Sequence, residues 1–144
     1  MEKRNDKMKT IIGIIAGILI FVPAIFFGVR YVMKPSLDSS LTAMSHEINK
    51  QCPILVDRET RLDNAVVLPD KVFQYNYTLI NLNKEQVDID EAQKVIEPNL
   101  ISAIKNNPDM KDFRDNKVKI IYSYRDKNGQ FLFKILITPE KYNN

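Results

Sequence analysis

The 144-residue chain contains no tryptophan, one histidine and one cysteine. A single cysteine excludes an internal disulfide, and one histidine with one cysteine lacks the ligand spacing of a zinc site. His46 and Cys52 lie six residues apart and Pro53 breaks the helical pattern directly after them, so the sequence implies no nucleophile–base pair. We interpret His46 as a solvent-facing side chain. Cys52 is interpreted as a small buried hydrophobe, with a reactive thiol or an intermolecular bridge as the alternative, and we expect neither a metal nor a cofactor.

Glycine is nearly absent outside one segment. Three of the four glycines fall within an apolar run near the N-terminus, and Gly129 is alone in the remaining sequence. A phosphate-binding loop needs several glycines close together, so the sequence excludes this kind of nucleotide site.

The apolar run, Ile11–Val29, contains no charged side chain. As a helix it would be about 28 Å long, close to the roughly 30 Å hydrocarbon core of a bilayer. Basic residues near the run are more numerous before it than after it, which predicts a cytoplasmic N-terminus. These residues are Lys3, Arg4, Lys7 and Lys9 before the run, and Arg30 and Lys34 after it.

This run could instead be a cleavable signal peptide. Signal cores are usually about 7–15 residues long, and residues 26–30 do not offer the two small side chains, three positions apart, that cleavage requires. We therefore expect a cytoplasmic tail at 1–10, an uncleaved single-pass inner-membrane anchor at 11–33, and an extracytoplasmic domain at 35–144.

Small residues share one side of the predicted anchor. Gly13, Gly17, Ala24 and Gly28 fall within a face about 60° wide at 100° per residue. Small residues allow helix backbones to approach closely, which favours a homo-oligomer or an integral membrane partner. The alternative is composition alone, since glycine is frequent in membrane helices.

The charge of the exported part differs from that of the whole chain. The net charge is +3, but residues 35–144 hold fifteen lysines and arginines against sixteen acidic residues. No basic stripe remains, so nucleic acid is not an expected partner. The basic excess flanks the anchor, where it contacts the bilayer.

Two helices and two hairpins are predicted in this domain. Ser36 caps a helix with apolar residues at 37, 41, 44 and 48, and strands follow at 60–68 and 72–80 around a turn at Pro69-Asp70. Asp88 and Glu91 begin a second helix as a capping box, and Pro98 is expected to split or kink it.

The second hairpin has the strongest turn signal. Asn128-Gly129 is typical of a two-residue type I′ turn, in which both residues have positive φ. The resulting register places three apolar pairs on one face. The pairs are Tyr124 with Phe133, Tyr122 with Ile135, and Ile120 with Ile137.

The expected fold class is α+β. The order helix–strand–strand occurs twice, and both apolar helix stripes need a sheet to cover. We predict a two-layer domain in which an antiparallel four-stranded sheet carries both helices on one face.

One segment after the first helix is rich in polar residues. Asp57, Thr60, Arg61 and Asp63 are predicted to meet where the helix leads into the first strand. Asp57 and Thr60 can bind turn amides, and Arg61 can bridge a carboxylate. Alternatively the cluster is a recognition patch, to which Tyr75 and Tyr77 add amphipathic area.

This segment resembles small membrane-anchored or secreted bacterial proteins that share the pattern N-K-x-x-P-x-x-V-D-x-x-T-R-L-D, which begins here at Asn49. The resemblance continues at residues 75–78, 107–110 and 122–125. It implies an architecture and no established activity.

We therefore expect a non-catalytic binding or accessory subunit of a bacterial envelope complex. The alternative is a periplasmic enzyme with carboxylate-based chemistry, which would require Asp57, Asp63 and Arg61 to converge in a cleft.

Overall fold

The computed structural model describes residues 36–144. The helices are α1 (Leu37–Gln51), α2 (Ile89–Asn106), α3 (Lys111–Asp115) and α4 (Pro139–Tyr142), with 3₁₀ turns at Lys84–Gln86 and Pro108–Met110. The strands are β1 (Ile54–Leu55), β2 (Thr60–Leu68), β3 (Val72–Leu79), β4 (Lys119–Arg125) and β5 (Phe131–Ile137).

Helix α1 begins and ends as its sequence predicts. The side chain of Ser36 accepts a hydrogen bond from the Ser39 amide at 3.3 Å, which satisfies one of the unpaired donors of the first turn. The helix ends before Pro53, and its apolar stripe buries Leu41 and Ile48 completely. Each such side chain contributes about 1.5–3 kcal/mol of hydrophobic stabilisation.

The five strands form one sheet in the order β1-β2-β3-β4-β5. Strands β3 and β4 are parallel, and the other neighbouring pairs are antiparallel. The prediction of an antiparallel four-stranded sheet was therefore wrong in the number of strands and in the direction of one neighbouring pair.

Both errors have a physical origin. Helix α2 has 18 residues and is about 27 Å long, which matches the roughly 26 Å length of the eight-residue strand β3. The helix therefore returns the chain to the end of the sheet where β3 begins, and β4 must run in the same direction as β3. Strand β1 has two residues, too few for a visible alternation.

Helix α2 is capped at both ends and continues through its proline. Asp88 Oδ1 accepts from the Glu91 amide at 3.1 Å. Arg114 Nη1 donates to the carbonyls of Ile104 (2.5 Å) and Asn107 (2.8 Å), placing a cation at the negative end of the helix dipole.

The predicted split at Pro98 is absent, because a single helix spans both sides of this residue. The proline lies on the exposed side, so the carbonyl that loses its helical partner faces water.

The β4–β5 hairpin has the predicted pairs but a different loop. Tyr124 pairs with Phe133, and the next two predicted pairs follow in register. Gly129 has φ +79°, whereas Asn128 is not among the residues with positive φ. The Gly129 amide donates to the carbonyl of Asp126, and the Asp126 amide donates to that of Gln130. The loop therefore has three residues and ends in a left-handed glycine. A separate irregularity lies farther along the hairpin, where Leu132 is the extra residue between the pairs Tyr124–Phe133 and Arg125–Phe131.

One face of the sheet and both long helices form a single hydrophobic core. Helix α1 packs mainly on β2, and α2 packs mainly on β5. We call the opposite side of the sheet the open face.

Among residues 36–144, the helices are all too short or too polar to cross a bilayer. The predicted anchor at 11–33 and its small-residue face (Gly13, Gly17, Ala24 and Gly28) lie outside the described residues.

Candidate functional site

Asp57 organises the turn that leads into β2. Its Oδ1 accepts from the amides of Glu59 (2.6 Å) and Thr60 (2.7 Å), while the carbonyl of Thr60 accepts from the Val56 amide at 3.0 Å. These bonds are those of a carboxylate that closes its own turn. Asp57 Oδ2 and Thr60 Oγ1 are buried and have no hydrogen-bond partner among the described residues.

Arg61 and Asp63 form an ion pair on the open face. Arg61 Nε lies 2.5 Å from Asp63 Oδ1, and Thr78 Oγ1 donates to Asp63 Oδ2 at 2.5 Å. Asp63 can join both partners because a bulge between Leu62 and Asn64 displaces it from the regular register. Since the Arg61 side chain is 41% exposed, the pair contributes only about 0.2–1 kcal/mol to stability.

Asn49 closes the free edge of β2. Its Nδ2 donates to the Ala65 carbonyl at 2.8 Å, and its Oδ1 accepts from the Ala65 amide at 2.7 Å. One side-chain amide thus imitates a neighbouring strand where β1 no longer covers β2. Asn49, the first residue of the sequence pattern, therefore has a structural role at this edge.

The predicted site residues are divided between the two sides of the sheet. Thr60, Tyr75 and Tyr77 point into the core, whereas Arg61 and Asp63 lie on the open face. Alternation along a strand causes this division, since neighbouring side chains point in opposite directions.

Tyr75 and Tyr77 belong to a buried aromatic row on β3, β4 and β5. The Tyr75 and Tyr122 rings are 5.5 Å apart, the Tyr77 and Tyr124 rings 5.3 Å, and the Tyr124 and Phe133 rings 4.8 Å. Tyr75 and Tyr77 are each 2% exposed, and burial raises the pKa of both phenols above its ordinary value. In the folded domain these rings stabilise the core and offer almost no contact area.

The open face carries the exposed apolar side chains. The large hydrophobic side chains exposed among the described residues all lie on this face, as the strand register shows. They are Leu55, Leu68, Phe131 and Leu136. Leu55 on β1 is 64% exposed, and β5 carries two of the four, Phe131 at 51% and Leu136 at 42%.

The charges on β4 and β5 have one sign. These fourteen residues include Lys119, Arg125 and Lys134 and contain no acidic residue. None of the three forms an ion pair with any residue from 36 to 144. Arg125 and Lys134 are on the open face with Phe131 and Leu136.

Sequence reasoning missed Asp126, which is 1% exposed at the end of β4. Its Oδ1 accepts from the amides of Asn128 and Gln130 at 2.8 Å, and its Oδ2 accepts from the Lys84 amide at 3.1 Å. Burial opposes ionisation, but hydrogen bonds from Gln130, Asn128 and Lys84 outweigh it and lower the pKa of Asp126. The sequence does contain a signal for this role, because an aspartate two residues before Asn-Gly can accept hydrogen bonds from the amides of the turn.

The two predicted carboxylates have separate hydrogen-bond partners. Asp63 is engaged by Arg61 and Thr78, and one oxygen of Asp57 is engaged by turn amides. Within residues 36–144, no group of three or more histidine, cysteine or acidic side chains is placed to hold a metal ion.

These features define an α+β domain with a helical layer on one side of a mixed sheet and an open face on the other. The family model for a domain of unknown function (DUF8479) matches residues 36–133. Since this match covers most of the chain, the protein belongs to that family.

Solved structures with the same fold come from three bacteria. A Pseudomonas aeruginosa protein described as secreted is 11% identical with a TM-score of 0.63, covering 74% of this chain and 92% of its own. The type II secretion system pilotin AspS of Vibrio cholerae is 12% identical with a TM-score of 0.55, covering 73% and 91%. The type 2 secretion system pilotin EpsS of Vibrio vulnificus is 10% identical with a TM-score of 0.58, covering 74% and 91%.

At these identities the likeness shows the fold alone. Among curated proteins, none has significant sequence similarity to this chain.

Proposed function

We propose that this protein is a non-catalytic accessory subunit of a bacterial envelope or secretion complex. In this proposal residues 11–33 hold it in the inner membrane, with the N-terminus in the cytoplasm and the α+β domain outside. The observation that carries the proposal is the fold, which matches more than nine tenths of the length of two type II secretion pilotins.

The surface of the domain supports a binding role. Its exposed large apolar side chains all lie on one sheet face, and exposed apolar surface of this kind is used in interaction sites. Arg61 and Asp63 are accessible on that face and can contribute a polar contact at its edge. Asp57 and Thr60 form the turn that precedes this pair, and Tyr75 and Tyr77 lie on the opposite face of the same sheet.

The first test concerns location. A reporter that is active only outside the cytoplasm, fused after Asn144, should be active in the host. Activity restricted to a cytoplasmic reporter at the same position would contradict the proposed orientation. A mature chain that begins near residue 29 would contradict the anchor.

The second test concerns assembly. The full chain, purified gently from its native membranes, should migrate with other envelope proteins as a complex. Replacing Gly13 and Gly17 by Ile should weaken association through the anchor, because bulky side chains prevent close helix approach. Ile14→Leu with Ile18→Leu is the matched control. Migration of the wild-type chain as a lone subunit would contradict the accessory role.

A further inference from the structure

We propose that the open face of β4 and β5 binds an acidic amphipathic helix of a partner protein. We define the binding strip as Ile121, Arg125, Phe131, Lys134 and Leu136. This inference rests on the proposed accessory function and names the surface and the partner chemistry.

The composition of the strip indicates the charge of the partner. Arg125 and Lys134 are exposed cations, and neither makes an ion pair within residues 36–144. The exported part is close to neutral overall, so the excess of cations here is local. A partner that places carboxylates beside these two residues gains electrostatic complementarity, which favours association and orientation.

The apolar part of the strip offers surface that a partner can bury. Ile121 and Leu136 are register partners across β4 and β5, and Phe131 pairs with Arg125 toward the loop. Apolar side chains alternating with cations match a partner helix whose apolar stripe is flanked by acidic residues.

The sheet edges make pairing with an added strand unfavourable. At one edge, Asn49 occupies both backbone groups of Ala65. At the other, Gln93 Nε2 donates to the Lys134 carbonyl at 3.4 Å and Lys141 Nζ donates to the Leu136 carbonyl at 3.1 Å. An added strand would have to displace these side chains.

A segment that lies on the face of a sheet receives no backbone hydrogen bonds from it. Such a segment must satisfy its own amides and carbonyls when it is buried, and a helix does so. From Phe131 to Leu136 the strip is about 17 Å long, which corresponds to about three turns of helix. The predicted anchor is a poor occupant because its sequence contains no acidic residue.

The experiment uses the full chain in nanodiscs of phosphatidylcholine and a synthetic peptide of about 18 residues, long enough to hold a helix. The probe peptide has leucines at helical spacing flanked by glutamates. A second peptide replaces every glutamate by lysine, and a third has the leucine spacing scrambled. Binding is measured by fluorescence anisotropy at low and high salt.

The acidic peptide should bind, and the other two should bind at least tenfold more weakly. R125E and K134E should each weaken binding about tenfold, the effect of roughly 1.4 kcal/mol. Leu136→Ser should weaken it as well. K94E, on the exposed side of α2, is the matched charge reversal and should leave binding unchanged. High salt should weaken binding because the charges are exposed.

Equal binding of acidic and basic peptides, or equal losses in K94E and K134E, would overturn the inference. Two further results would also overturn it by naming another occupant. One is wild-type self-association that R125E abolishes, and the other is binding to phosphatidylglycerol vesicles that K134E abolishes. A native complex that persists in R125E/K134E would contradict partner binding by the strip and leave the proposed accessory function intact. Migration of the wild-type chain as a lone subunit would contradict the accessory function itself.

Discussion

Single polar side chains at the ends of strands fix the loops of this domain. Asp57 and Asp126 each use one carboxylate oxygen to accept from two backbone amides. Sequence analysis identified Asp57 as a turn residue but missed Asp126. The third bond of Asp126 comes from Lys84, 42 residues away, and a contact at that separation has no local signature.

At the residue scale we predict that the contribution of Asp126 to the free energy of unfolding depends on pH in the acid range. The pKa of its carboxyl in the folded domain lies below the ordinary value of 3.8. The ionised form therefore stabilises the fold above pH 3.8, and this stabilisation is lost as the pH falls through the lower folded value.

Asp126→Asn should reduce the free energy of unfolding at neutral pH, because the amide nitrogen cannot accept from Lys84. The difference from wild type should shrink as the pH falls below about 3.8. Denaturation followed by tyrosine fluorescence measures it. A difference that is constant from neutral pH to about pH 2 would show that the amides do not favour the carboxylate.

At the scale of elements, the two long hairpins and the β2–β3 turn at Pro69-Asp70 were predictable, whereas the length of the β4–β5 loop was not. Alternation and apolar pairing determined the register of β4 and β5, since a slip of one residue would expose Tyr122 and Tyr124. Asn-Gly indicated a turn without determining its length, because the same pair suits both a two-residue loop and a three-residue loop with left-handed glycine. The amide bonds to Asp126 decide in favour of the longer loop.

The two loop types predict different mutational costs. Gly129 has φ +79°, so Gly129→Val should cost about 1–3 kcal/mol of stability even though the site has open space around it. Asn128→Val should cost much less, because Asn128 does not have positive φ. Chemical denaturation of the two variants gives the comparison. Equal large losses would instead indicate a type I′ turn.

At the scale of the whole molecule, the parallel β3–β4 pair distinguishes this fold from the antiparallel sheet that the sequence pattern predicts. Val72 lies opposite Lys119 at the start of both strands. Arg125 lies at the far end of β4, about 20 Å from Lys119.

Disulfide trapping tests this direction in a Cys52→Ser background. Val72→Cys with Lys119→Cys should form a disulfide on mild oxidation, because register partners are within the 7 Å limit between Cα atoms. Val72→Cys with Arg125→Cys should not. Efficient trapping of the second pair alone, read from the mobility of the non-reduced chain, would show that β4 runs antiparallel to β3.

The amino-acid sequence by itself determined the helix caps at Ser36 and Asp88, the apolar stripes and the alternation of the four long strands. Each depends on residues within a few positions of one another, where local geometry limits the choices. Tertiary structure decided the direction of β4, the closure of the β2 edge by Asn49, and the division of the predicted cluster between two faces. These features depend on which distant segments become neighbours, and no local pattern encodes that choice. The binding strip is likewise exposed because both long helices cover the other side of the sheet.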